Sequence, residues 1–348
     1  MCALKKSPNI IINLGLVFFV FFLVYALVEL FVSPHLEGLQ RYYVVRDVDH
    51  YMRPLDKSIP TNSDSIRSLR ESSEFKPGGE NIIFLGDSFV FGAKLKYNQT
   101  IPFKLECILK KELPGKDIKV ANFGWTSSSP FLDYRLLKNI GAKYHPKVIL
   151  LGLDMGDFHD DIRYKLMLRR EGVFKVCDKI PLILNFLKKT APGFSSAIVA
   201  HSLNGQLPRG RFFITEKPLE ETERYCDDLL NNLKAISNYS KELNARFILI
   251  IFPRSFQYSD RECPANWQKD ESALLGPYCL EPFRYFDKVK ETLDFPVYSL
   301  LKAFQETTVY PTCFDDDPHW NDAGTTIAAE EIAGIVTKEV NFKSLANP

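Results

Sequence analysis

Five short apolar runs, each set off from the next by helical or irregular sequence, constrain this chain more than anything else in it. They are Asn81–Leu85, Ile118–Gly124, Val148–Leu153, Phe247–Pro253 and Val297–Leu301. Runs of this length, rich in isoleucine, valine, leucine and phenylalanine, read as strands buried on both faces. Helical patterns lie between them. Ile101–Leu113 has a partial apolar face and is stopped by Pro114-Gly115, Leu132–Ile140 follows, and Glu220–Leu243 places Leu229, Leu233, Ile236 and Leu243 on one face. A last helix is expected over Gly324–Val336. Strands alternating with helices predict a three-layer α/β/α domain around a five-stranded parallel sheet with right-handed crossovers. In such a sheet, ligands bind beyond the carboxyl ends of the strands.

Two segments bring chemistry to that edge. The first strand ends in Gly86-Asp87-Ser88, followed by Phe89-Val90-Phe91-Gly92. A serine here is either a nucleophile or a helix cap, and the tripeptide alone leaves both open. Far downstream stands Asp315-Asp316-Asp317-Pro318-His319-Trp320-Asn321. A histidine can take a serine proton when a carboxylate fixes its other ring nitrogen. Asp316 lies three residues before His319 and Asp317 two, so both spacings stay open. The Gly-x-Ser-x-Gly elbow of α/β-hydrolases is absent.

Together these segments resemble the SGNH (GDSL-type) hydrolase superfamily, over roughly residues 81–336. The resemblance implies a flavodoxin-like sheet, Ser88 as nucleophile, His319 as base, and Asp316 or Asp317 as its orienting carboxylate. It also implies an oxyanion hole built from the nucleophile's own N–H, a glycine N–H after the second strand, and an asparagine side chain after the third. Here the sequence departs from the pattern. In Asn122-Phe123-Gly124-Trp125-Thr126-Ser127 the glycine position falls on Ser127, or on Gly124 in another alignment. In Leu153-Asp154-Met155-Gly156-Asp157, Gly156 stands where asparagine is expected. Loss of one such donor costs about 100- to 1000-fold in rate. Resemblance to anchored relatives implies an esterase or O-acyltransferase acting on acylated cell-surface or exported polysaccharide, without a cofactor. A transferase would need an acyl donor, with a membrane-bound donor protein as partner. The alternative, motivated by Gly156 and Ser127, is a catalytically silent glycan-binding or assembly protein on the same fold.

The N-terminus is read separately. Residues 10–32 hold no lysine or arginine and one acid, Glu29. At about 1.5 Å per residue they can cross a hydrocarbon core of about 30 Å. Lys5 and Lys6 precede the run, which puts residues 1–9 in the cytoplasm and the remainder outside. A cleaved signal peptide would be shorter and end in small residues, whereas this run ends Glu29-Leu30-Phe31-Val32-Ser33-Pro34, so an uncleaved single-pass anchor is expected. Residues 33–80 read as a stalk and lead-in in which Arg67 and Arg70 are solvated. Residues 81–340 form the hydrolase-like domain, with an insertion at about 163–218.

Net charge is +1, from 44 basic and 43 acidic side chains, and no basic stripe with interleaved aromatics occurs, which argues against nucleic acid as a partner. Six cysteines follow the anchor, at 107, 177, 226, 263, 279 and 313. An oxidising compartment permits disulfides among them, and Cys263–Cys279 is the pair expected to bridge. Asp154, Asp157, His159, Asp160 and Asp161 fit no compact metal-ligand spacing, so no metal is expected there.

Overall fold

The sheet is the frame on which everything else is hung. In the computed structural model, which describes residues 8–32, 59–168 and 207–340, the chain divides into two units. The first contains helix α1, Pro8–Leu27, which continues through a π-type turn to Val32. Residues Ile12–Val32 have a mean hydropathy of 2.6 and are long and apolar enough to span a membrane, a test a signal sequence also meets. Their one acid, Glu29, accepts a hydrogen bond from Tyr25 Oη, one turn earlier, at 3.0 Å. Most of the expected insertion, residues 33–58 of the expected stalk, and Cys177 lie outside the described residues.

The second unit holds β1 (Glu80–Gly86), β2 (Ile118–Gly124), β3 (Val148–Leu153), β4 (Arg246–Ile251) and β5 (Val297–Ser299). They form one parallel sheet in the order β2-β1-β3-β4-β5. This is the five-stranded α/β architecture expected from the sequence. Because side chains alternate across a strand, Ile83, Leu85, Ile149, Leu151, Leu249 and Ile251 line one face and Ile82, Phe84, Val148, Leu150, Ile248 and Ile250 the other. Helices α4 (Pro130–Ile140) and α6 (Leu219–Glu242) supply the apolar residues covering the first face. Helices α3 (Ile101–Glu112) and α10 (Asp322–Glu339) cover the second.

Four places depart from the sequence reading. The fifth strand stops at Ser299, and Leu301–Glu306 begins a helix, α9. Residues 254–282 are not wholly irregular, since Ser255–Tyr258 makes the short helix α7. They lead into α8 (Glu281–Val289), whose Phe283, Tyr285 and Phe286 are buried. The histidine segment is an antiparallel hairpin, β6 (Cys313–Phe314) with β7 (Asp317–Trp320). Lastly, Arg67 is not a solvated arginine. It is 2% exposed and donates to the carbonyls of Phe91, Gly92 and Leu95 at 2.6–2.9 Å. Arg70 makes a two-pronged contact with Glu106 at 2.7 Å. Ile66 and Phe75 are buried in the core, so residues 59–80 pack as part of the domain.

Candidate active site

Ser88 is the first residue of a single-turn helix, α2 (Ser88–Phe91), that follows β1 directly. The cap is not Ser88 but Asp87, whose Oδ1 accepts from Phe89 N at 2.9 Å. The turn ends at Gly92, in the left-handed region at φ 83°. Gly124, at the end of β2, lies hard against it: a Cβ there would stand 2.2 Å from Phe91 N. The glycine lets β2 and α2 meet at backbone distance, which fixes where Ser88 leaves the sheet.

His319 arrives on β7. Within a strand, residues i and i+2 share a face, so Asp317 and His319 point the same way while Pro318 and Trp320 are buried beneath them. Trp320 is the anchor. Its ring stacks on Phe304 with centroids 4.4 Å apart and meets Phe89 and Phe252 at 4.8 and 5.0 Å. Asn321 closes the hairpin by donating to the carbonyls of Pro311 and Cys313, while its Oδ1 caps α10 at Ala323 and Gly324.

These elements bring three side chains into line. His319 Nε2 is 2.7 Å from Ser88 Oγ, and His319 Nδ1 is 2.5 Å from Asp317 Oδ1. Asp317 Oδ1 also accepts from His319 N, and its Oδ2 accepts from Trp267 Nε1 at 3.3 Å. Burial pushes the Asp317 carboxyl up, but hydrogen bonds from the His319 ring and backbone, its charge and the Trp267 indole outweigh that. The group is held well below the usual carboxylate range. A carboxylate at Nδ1 places the ring proton there and leaves Nε2 as an acceptor facing the serine hydroxyl. Asp316 is not in this chain of contacts. Its side chain is 74% exposed and pairs with Lys94 at 2.7 Å, because it sits in the hairpin turn rather than on the strand.

The expected oxyanion donors divide. Ser88 N heads α2, where a helical N–H has no intrahelical partner. Ser127, at φ 57°, borders a cavity it shares with His159, Arg163 and Arg211. Two of the expected positions are corrected. Gly124 N donates to Asn122 Oδ1 at 2.9 Å, and Gly156 N donates to Asp154 Oδ2 at 2.8 Å, so neither N–H is free to meet an oxyanion. A side chain at Gly156 would have to displace the Arg211 and Asp154 side chains, since a Cβ would lie 2.9 Å from both Arg211 Nε and Asp154 Oδ2.

Directly after β3 stands Asp154, in a buried ionic arrangement the sequence did not disclose. Gly86 pairs with Gly152, so Asp154 lies level with Ser88 across the two strand ends. Arg254, 2% exposed, grips Asp154 through Nε at 2.5 Å and Nη2 at 2.6 Å, donates Nη1 to Gln268, and lies over the Phe89 ring. Burial works against the charges of both partners, and their mutual attraction outweighs it: Asp154 is lowered and Arg254 raised. Asp87, Asp154 and Asp157 bring carboxylate oxygens within 4.8 Å of one another. Burial, then the charge of Asp154, raises Asp87 to about 6, and burial with both neighbours raises Asp157 well above its ordinary value. Arg254 is thus the cation that meets this cluster, through Asp154, while burial favours the protonated forms of Asp87 and Asp157. On helix α5 (Asp157–Leu168), Asp160 is met by Arg211, and Asp161 by Lys165, Asn232 and Phe131 N.

The chain resembles the SGNH hydrolases. No family model matches the sequence, and no curated protein does. Solved SGNH-type structures are similar over most of their length. TesA shares 14% identity at a TM-score of 0.43, covering 75% of this chain and 99% of its own. The esterase EstA from Pseudoalteromonas sp. shares 15% at 0.41, covering 75% and 98%. A catalytic mutant of Axe2, an acetylxylan esterase from Geobacillus stearothermophilus, shares 15% at 0.39, covering 79% and 100%. These likenesses are loose. They speak to the α/β fold, whereas the Ser88–His319–Asp317 contacts stand on the geometry of this chain.

Proposed function

We propose that this chain is a membrane-anchored, extracytoplasmic serine esterase or O-acyltransferase acting on acylated cell-surface or exported polysaccharide. The observation that carries the reading is the unbroken contact from Ser88 Oγ through the His319 ring to Asp317. Ser88 Oγ attacks the acyl carbonyl as its proton passes to His319 Nε2, and Asp317 stabilises the imidazolium. The oxyanion forms beside Ser88 N and the turn at Ser127. Collapse breaks the bond from the acyl carbon to the sugar oxygen, which takes the proton from His319 Nε2 to leave as a hydroxyl, and an acyl-Ser88 remains. Water then regenerates the serine in an esterase, and a second sugar hydroxyl does so in a transferase.

The test is labelling with a fluorophosphonate probe, followed by turnover of an activated acetyl ester with and without an oligosaccharide acceptor. Labelling and turnover should vanish in Ser88→Ala while the fold, read by circular dichroism, persists. An acetylated acceptor identifies the transferase. If the folded wild-type protein neither labels nor turns over, the reading is wrong and a silent glycan-binding protein replaces it.

A further inference from the structure

Cys263 and Cys279, the pair expected from the sequence to bridge, are both free thiols and are not joined. Cys279 offers its carbonyl to Gln257 Nε2. Cys263 faces another neighbour, Cys313, the first residue of β6, whose thiol lies close enough for the two to influence each other's charge. The surrounding contacts fix this approach independently. The Glu262 carboxylate accepts from Thr312 N, Thr312 Oγ1 and Cys313 N at 2.6–3.0 Å, so the dipeptide Glu262-Cys263 lies against Thr312-Cys313. Both sulfurs also contact residues of α7, Cys263 through Ser255 Oγ at 3.4 Å and Cys313 through Tyr258 Oη at 3.5 Å. Both are buried in the same apolar cluster.

We propose that Cys263 and Cys313 form a disulfide under oxidising conditions, clamping the loop after α7 onto the hairpin that carries Asp317 and His319. The oxidant is a disulfide, either a small molecule such as oxidised glutathione or the active-site disulfide of a thiol oxidase. The Cys263 thiolate attacks one sulfur of the oxidant, forming a mixed disulfide and releasing one thiol. Cys313, losing its proton, then attacks Cys263 Sγ and releases the second thiol. Two cysteines lose two electrons and two protons, and one disulfide becomes two thiols.

The order of attack follows from the surroundings. Cys263, though buried, borders a cavity with Ser259, Asp260, Pro264 and Asn266, whereas Cys313 is enclosed by Tyr258 and Trp320. The neighbouring Cys313 thiol draws the Cys263 thiol down to about 7 against its burial, and Cys313 is pushed well above its ordinary value. The thiolate, which is the nucleophile, therefore forms first on the side an oxidant can reach. The same loop carries Trp267, whose indole holds Asp317. A covalent tie at Cys263 thus fastens the loop and the hairpin at a second point.

The experiment uses the full chain in detergent, equilibrated with oxidised glutathione and, in parallel, with dithiothreitol. Residual thiols are alkylated and the peptides mapped without reduction. A Cys263–Cys313 peptide should appear only after oxidation. The cross-link closes a loop of about 50 residues, so Tm should rise by roughly 5–10 °C. The rise should persist in Cys279→Ala and be lost in Cys263→Ala, which replaces the cavity-side thiol and leaves the enclosed Cys313 in place. A Cys263–Cys279 peptide, or full alkylation of both Cys263 and Cys313 after oxidation, overturns the proposal. These readouts need no catalytic turnover, so they stand or fall apart from the enzymatic reading.

Discussion

Ser88 and Asp317–His319 meet at one point but are held there in different ways. Ser88 leaves the sheet through a glycine-lined joint at which Gly124 touches backbone, and Arg67 gathers the carbonyls of the following loop. Its position is set by β1, an inner strand of the sheet. His319 hangs on a hairpin with two-residue and four-residue strands outside the main sheet. Individual side chains fasten it: Trp320 in its aromatic nest, Glu262 on the backbone of Thr312 and Cys313, and Trp267 on Asp317. The nucleophile therefore answers to main-chain packing, where an added methyl group is felt in stability. The base answers to side-chain hydrogen bonds, where a single atom is felt in rate.

The largest effect expected from this contrast is on the hairpin. Asp317→Asn keeps the shape but loses the acceptor that fixes the His319 tautomer, and should lower kcat on an activated ester by about 1000- to 10,000-fold. Asp316→Asn, at an exposed ion pair with Lys94, should change it by no more than about twofold. Equal losses in the two variants would mean that the hairpin is rearranged on catalysis. At the nucleophile the expected effect is on stability: Gly124→Ala should cost about 3 kcal/mol or more in denaturant unfolding, because the methyl meets Phe91 backbone. A loss below 1 kcal/mol would show that α2 can shift, and the contrast would fail.

A smaller effect concerns the carboxyls under Ser88. Asp87 is raised by burial and by Asp154 from 3.8 to about 6 in the folded chain. The folded state then holds more protons than the unfolded one between about pH 4 and pH 6, so stability falls as pH rises through that window. The loss is about 2–3 kcal/mol for a shift of this size. Asp87→Asn keeps a good helix cap and should remove most of that slope, as read by urea unfolding at pH 4.5 and 7. An unchanged slope would shift its origin to Asp157 or Asp133, both also raised chiefly by burial.

The difference between the two regions also explains what could be read in the sequence. The strands announced themselves because a buried parallel strand must be apolar throughout, and Ser88 was legible because it follows such a strand. The choice between Asp316 and Asp317 was not legible as a spacing. It follows from Asp317-Pro318-His319-Trp320 being a strand, in which alternate residues share a face. The alternation of polar and buried residues was present in that tetrapeptide, but four residues are too few to separate strand from turn. Arg254 and Arg67 were not legible at all. Each is an arginine beside polar sequence, and only the tertiary fold places Asp154 against one and three carbonyl groups against the other. The place of Asp154 was not legible for a related reason: the register Gly86–Gly152 that puts it level with Ser88 belongs to strand pairing, which a single sequence does not state.

Arg67 has a consequence for where this domain begins. A piece cut at Glu80 would keep all five strands and both partners of the Ser88–His319 contact. It would also strip three buried carbonyls, at Phe91, Gly92 and Leu95, of the guanidinium that satisfies them, in the loop that leaves the nucleophile. Asn62 Nδ2 ties the same lead-in to Tyr144 Oη and to the carbonyl of Arg70. A fragment that preserves the nucleophile turn therefore starts ahead of Asn62, some twenty residues before the first strand.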